Sequence, residues 1–376
     1  MSLLTRIATG AVAMASVTAA GLTMTPAASA TPTAHPSFLA HFHKNSHVAS
    51  TVPASGDVNP YGVAVVRQSR GRLHRGDVLV SNFNNSKNLQ GTGTTIVEIS
   101  PGGHRTQFAR IRAAQLPGAC PGGVGLTTAL VALRGGWVIA GSLPSTDGTA
   151  ATAKAGCLIV LNSQGKVAET ITGYGLNGPW DATAVQHGRT ADVFVTNVLN
   201  GTVKAGGAVV HRGTVLRLRL RLFAHRPPRV IGAATIGSGF AEQTNAAAFV
   251  IGPTGLGLGR FGTLYVADTS ANRITAIPHA VTRHTTAGTG SVVTVNGALN
   301  APLGLAIAPG GDVLTVNGGN GLIVETTPGG AQVAKRLLDS SGSPKGAGAL
   351  FGLAIAPHGA GVYFVDDATN TLRLLH

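Results

Sequence analysis

Residues Leu303–Glu325 read L-G-L-A-I-A-P-G-G-D-V-L-T-V-N-G-G-N-G-L-I-V-E, three short apolar runs separated by two breaks. Pro309-Gly310-Gly311 makes the first break and Asn317-Gly318-Gly319-Asn320-Gly321 the second. Each run has strand length and each break has hairpin chemistry, so the stretch reads as a β-meander. The same phrase returns as F-G-L-A-I-A-P-H-G-A-G-V-Y-F-V-D-D-A-T-N-T-L over Phe351–Leu372, and Gly304 to Gly352 spans one period of 48 residues.

Working upstream from that stretch gives six copies. First strands begin near Pro60-Tyr61-Gly62, Gly123-Val124-Gly125, Pro179-Trp180-Asp181, Pro253-Thr254-Gly255, Pro302-Leu303-Gly304 and Phe351-Gly352. Second and third strands follow in every copy. A fourth follows in five, as His104–Ile111, Lys166–Ile171, Arg229–Ile236, Ser291–Val295 and Gln332–Leu338. The sixth copy stops at His376, one strand short, while His47–Val52 before the first copy is strand-like and without a partner. Letting that segment complete the last unit removes two sheet edges at once. The expected fold is therefore all-β: a six-bladed β-propeller of four-stranded antiparallel blades, closed by an N-terminal strand in the last blade. An open solenoid would need capping ends instead of a shared blade.

The pattern P-x-G-[LV]-A-[IV], G-x-[LV]-[YT]-V-[AND]-[DN], N-x-[IL] is clearest over Pro253–Ile277, Pro302–Glu325 and Phe351–Leu372. It resembles the NHL-repeat family of propellers, with similar repeats in streptogramin lyases and in the senescence-marker/gluconolactonase group. The resemblance implies a fold, whereas its motifs specify blades and no substrate.

Composition agrees with many turns and little exposed charge. Charged residues make up 11% of the chain, Gly numbers 53 and Pro 19, and mean hydropathy is +0.25. These values exclude a disordered chain and favour turn-rich β-structure. Met1–Ala30 reads as a secretory leader: Arg6, then the apolar Ile7–Met24, then Ala28-Ser29-Ala30 as a small-residue cleavage site. The domain plan is thus a signal peptide over 1–30, an N-terminal extension over 31–46 and the propeller over 47–376. A secreted protein, extracellular or periplasmic and cell-wall-associated, is expected, with no transmembrane segment and as a monomer. Cys120 and Cys157 both lie beyond the leader, and a single disulfide is their expected state.

In such a ring, first-strand starts and second-to-third loops share one mouth, here the upper. The other loops share the lower mouth. The upper loops of copies one to three are long: Asn82–Gly93, Gly141–Gly156 and Asn197–Arg212. Loops of that length are commonly functional, so a ligand pocket is expected at the upper mouth beside Tyr61, Trp180, Asp181 and Phe351. Asn82, Asn197, Asp268, Asn317 and Asp366 recur at the ends of second strands. They are either turn-satisfying Asx residues or an oxygen-rich ring for a divalent cation.

The formal charge of +14 has an address. Arg67, Arg70, Arg72, Arg75, Arg105, Arg134, Arg189, Arg260 and Arg283 fall in lower-mouth loops or close beside them, and a one-sided basic face attracts polyanions. Two functions follow. One is a binding or scaffold propeller for an anionic polysaccharide, cell-wall polymer or anionic surface, with a protein as a further partner and nucleic acid a poor candidate after export. The other is a metal-assisted lyase or hydrolase at the upper mouth. No cofactor and no complete metal-ligand set is expected, because Asp and Glu together number only 14. G-x-S-x-G and G-x-x-x-x-G-K-[ST] signatures are absent from the sequence.

Overall fold

The computed structural model describes residues 36–376 except Ala247. The expected leader over 1–30 and the start of the extension lie outside the described residues. Strand β1 (Asn45–Ser50) comes first. Blade one is β2 (Val58–Val65), β3 (Val78–Asn84), β4 (Thr95–Ile99) and β5 (Arg105–Arg110). Blade two is β6 (Leu126–Ala132), β7 (Val138–Ser142), β8 (Cys157–Leu161) and β9 (Val167–Ile171). Blade three is β10 (Pro179–His187), β11 (Thr190–Asn197), β12 (Val210–Arg221) and β13 (Arg229–Asn245), with β14 (Phe249–Ile251) added at its edge. Blade four is β15 (Pro253–Leu258), β16 (Leu264–Asp268), β17 (Arg273–Ile277) and β18 (Ser291–Val295). Blade five is β19 (Pro302–Ile307), β20 (Val313–Asn317), β21 (Leu322–Thr326) and β22 (Gln332–Leu337). Blade six is β23 (Leu350–Ile355), β24 (Val362–Asp366), β25 (Thr371–Leu375) and β1.

The ring closes as the repeat count requires. β1 pairs antiparallel with β25, from Asn45 opposite Leu375 to Ser50 opposite Thr371. The innermost strand of each blade contacts those of its two neighbours, with β23 against β2 completing the circle. The chain ahead of β1 is tied down as well. Glu325, fully buried in β21, accepts hydrogen bonds from Ser37 Oγ (2.6 Å), Phe38 N (2.7 Å) and Leu39 N (2.8 Å). Leu39 is itself fully buried among residues of blades five and six. A buried carboxylate with three donors is compensated for its desolvation, so these bonds fix the segment's position.

The Pro-x-Gly step now has a mechanical reason. A Cβ on Gly304 would collide with the Phe351 carbonyl oxygen, and one on Gly352 with that of Tyr61. Inner strands crowd together at this level, and only glycine lets the backbones approach. Hydroxyl side chains stitch the same level between blades. Ser81 Oγ accepts from Gly62 N (3.0 Å) and donates to Thr127 O (2.7 Å). Thr196 Oγ1 accepts from Asp181 N (3.0 Å) and donates to Thr254 O (2.9 Å). All six inner strands shift register beside this step, and such bulges bend a strand and re-aim its side chains.

Cys120 and Cys157 form a disulfide, joining the approach to β6 to the start of β8. Among the described residues, no helix is long and apolar enough to cross a membrane.

Candidate functional site

The upper mouth is filled. Tyr61 stacks on Phe83 with ring centroids 4.4 Å apart and on Phe351 at 3.9 Å. Tyr61 and Trp180 stand 6.3 Å apart although they belong to blades one and three, with blade two between them in the ring. Phe249, Leu143, Leu199 and Leu303 join the same buried cluster. Trp180 Nε1 donates to Val250 O at 3.1 Å, which satisfies its one polar atom inside the plug. Phe249 is held at a φ of 63°, a disfavoured conformation for a large side chain, and its ring packs edge-on against Phe83 at 5.3 Å.

The expected upper pocket is therefore corrected by packing. The long loops beginning at Asn82, Gly141 and Asn197 bring Phe83, Leu143, Val198 and Leu199 inward, and they close the mouth where an open wall was expected. Tyr61, Trp180 and Phe351 are at most 3% exposed and serve as plug residues. The recurring Asx residues are engaged within their own surroundings, and none of the five lines the central cavity. Asn82 Nδ2 donates to Thr51 O (3.0 Å) and Asn197 Oδ1 accepts from Asn177 N (3.0 Å). Asp268 accepts from Arg273 Nε (2.8 Å), Asn317 Nδ2 donates to Ala298 O (2.7 Å), and Asp366 accepts from Thr369 N (3.3 Å).

Open space lies below the plug. A central cavity of about 1440 Å³ runs from the level of Thr128, Asp181, Leu256 and Gly304 down to the first-to-second loops. Its walls are mixed: partly exposed Val63, Val65, Leu258, Ile307 and Ile355 face it from blades one, four, five and six, Ala132 and Ala184 from blades two and three, and polar groups contribute almost as much of the lining as apolar ones. Arg67, Arg75, Arg134 and His358 stand at the lower mouth with Gln68 and Gln186. Within the lining, the one carboxylate is Asp181 at the closed end.

Asp181 occupies the position where blades one, four, five and six have the Pro-x-Gly or Phe-Gly glycine. Its Oδ2 accepts a hydrogen bond from Leu256 N of the next blade at 2.9 Å. Burial raises the carboxyl to about 7, outweighing the stabilising bonds from the Leu256 and Ala182 amides. The floor of the cavity therefore carries a group that exchanges a proton near neutrality.

The nine arginines of the expected basic face divide by role. Arg67, Arg75 and Arg134 line the cavity, while Arg70 and Arg189 line a separate depression that also includes Arg134. Arg72 donates to Phe108 O (3.1 Å) and Gln107 O (2.6 Å), and Arg105 to Ser50 O (3.2 Å). Arg260 reaches Pro309 O (3.5 Å) and Arg283 reaches Pro278 O (3.0 Å). These four fasten backbone in addition to contributing charge. Among the described residues, one trio has metal-type ligand atoms mutually within 4.8 Å: His74, Asp77 and Glu98. It lies outside the cavity lining, and Glu98 Oε1 already accepts from His74 N at 2.8 Å.

No family model matches the chain, and no curated protein matches its sequence. Solved structures match along most of its length. A protein assigned as a gluconolactonase superposes with a TM-score of 0.56 at 16% identity, covering 91% of this chain and 96% of its own. A luciferin-regenerating enzyme gives 0.54 at 10% identity, over 87% and 94%. A streptogramin B lyase gives 0.51 at 13% identity, over 89% and 97%. The chain thus shares the six-bladed architecture of these propellers. At such identities the likeness establishes the fold alone.

Proposed function

We propose that the protein is an exported binding propeller whose central cavity takes a ligand with an apolar body and an anionic head through the lower mouth. The observation that carries this reading is the arrangement of the cavity: aliphatic side chains along its walls, arginines at the entrance, and a single carboxylate at the far end. An anionic head remains among Arg67, Arg75 and Arg134 while the body leaves water, and burial of apolar surface supplies the attraction. The disulfide supports an oxidising compartment and hence the leader over 1–30. Anionic polymers or surfaces of that compartment are the natural source of such a ligand.

Calorimetric titration with octyl phosphate and with octanol tests the reading. Octyl phosphate is expected to bind, octanol to bind far more weakly, and R67S/R75S to lose about tenfold in affinity for the phosphate. Equal binding of both probes would remove the rim from recognition.

A second reading is favoured by one observation. Asp181, raised to about 7 inside a cavity, is matched to general acid–base work at neutral pH. The structural neighbours described as a gluconolactonase, a luciferin-regenerating enzyme and a lyase give this reading company. A metal-assisted version has less support, because Asp181 and His358 alone carry metal-type ligand atoms in the lining and they sit at opposite ends. Turnover of a lactone or ester panel that is lost in D181N, with octyl phosphate binding retained, would favour the enzyme.

A further inference from the structure

Beside the central mouth, the lower face carries a second depression of about 550 Å³ between blades two and three. Five arginines line it, Arg70, Arg134, Arg189, Arg221 and Arg226, and no carboxylate does. The one acid on β11 and β12 is already engaged: Asp192 accepts from Arg219 Nε (3.0 Å) and Nη2 (3.1 Å), with Arg217 Nε at 3.9 Å. Arg217 and Arg219 are thereby occupied with Asp192, while Arg221, exposed at the end of β12, lines the depression.

The walls are held in place. Trp137 Nε1 donates to Phe223 O at 3.3 Å, fastening blade two to the β12–β13 loop. Leu222 N donates to Arg189 O at 2.8 Å, joining that loop to the β10–β11 turn. The Arg226 guanidinium lies 3.9 Å from the centre of the Phe223 ring, which pre-orients a side chain that would otherwise sample many rotamers.

We propose that this cleft is a second anion site, distinct from the central cavity, and that it takes a chain of linked phosphate groups. Five arginines lining one small volume with no carboxylate among them favour the entry of counter-charge, and each guanidinium offers a fork that matches a tetrahedral oxyanion. A phosphoanhydride chain places charge on every successive tetrahedron and so matches that density. A sulfated sugar spreads its charges around rings. Arg189, Arg221 and Arg226 line the cleft and not the cavity, whereas Arg67, Arg75 and His358 line the cavity and not the cleft, so the two sites separate by mutation.

Calorimetric titration of the full chain with inorganic tripolyphosphate is the test, with orthophosphate and sucrose octasulfate as comparison probes. Tripolyphosphate should bind one per protein, weaken steeply as salt rises, and exceed orthophosphate by more than about tenfold. R189S/R221S/R226S should lose at least about tenfold, R67S/R75S should bind as the parent does, and R189K/R221K/R226K should fall between, since lysine keeps charge without the fork. All three arginines are exposed, and unchanged circular dichroism in the lysine variant certifies the fold. The proposal is overturned by absence of tripolyphosphate binding at low salt, by unchanged affinity in the triple serine variant, or by an equal loss in R67S/R75S. Tighter binding of sucrose octasulfate would overturn the assignment to phosphate.

Discussion

The two ends of the central channel are made by the same repeat and finish with opposite chemistry. At the upper end, aromatic and aliphatic side chains from blades one, two, three, five and six converge into a dry cluster. At the lower end the channel stays open, with Arg67, Arg75 and Arg134 of blades one and two at its rim. The upper loops of blades one to three are long, yet they seal their mouth, because an apolar residue directly follows Asn82, Ser142 and Asn197: Phe83, Leu143, Val198. Blades four to six have Thr269, Gly318 and Asp367 at that position. Loop length sets how far a segment reaches, and side-chain chemistry decides whether it covers a site or fills it.

The comparison breaks most visibly by emptying the plug. Trp180→Ala removes the residue of blade three that meets Tyr61 of blade one, and large-to-small substitution of a buried aromatic costs about 3–5 kcal/mol. Chemical denaturation should show that loss. The disulfide comes next. Cys120→Ser with Cys157→Ser opens a loop closed over a separation of 37 residues and should cost about 3–4 kcal/mol, read as a lower melting temperature in the absence of reductant.

Asp181 marks the boundary between the two ends and sharpens the contrast through pH. The folded state holds this proton up to about 7, whereas an unfolded Asp releases it near its model value of 3.8. Between those values the folded state binds more protons, so stability falls as pH rises through the window and levels off above it. Each unit of such a shift is worth about 1.4 kcal/mol. Asp367 and Glu242, also raised to about 7 chiefly by burial, act in the same direction. Asp181→Asn should flatten the decline between pH 4 and 7 and should not abolish it, as followed by denaturant midpoints across that range. The smallest stability effect belongs to the open end. R67S/R75S should change unfolding free energy by no more than about 0.5 kcal/mol while earlier elution from a polyanion resin reports the lost charge.

Blade count and closure were legible because turn chemistry and apolar runs recur with the fold's own period. The strand expected at Ser291–Val295 forms with those bounds, and the one expected at His47–Val52 forms as Asn45–Ser50. Arg229–Ile236 runs on to Asn245, since bulges let β13 follow the full length of β12 and deliver Phe249 to the plug. The candidate site was less legible. A bulge of one residue exchanges the faces of a strand, and every inner strand carries a register shift near the Pro-x-Gly step. Periodicity alone therefore cannot say that Tyr61 and Trp180 turn into the axis and pack. Asp181 stood out as the one acid in a glycine position, but the side of the plug on which it lies depends on that same shift.

Closure through β1 and β25 has a consequence in time. The last blade is assembled from the two most distant parts of the described chain, with Glu325 fixing residues just ahead of β1 in place. Its earliest strand has no partner until the final one has been made. Synthesis must therefore be complete before the circle locks, and a chain cut short at Thr371 would leave β1 stranded however well the first five sheets had formed.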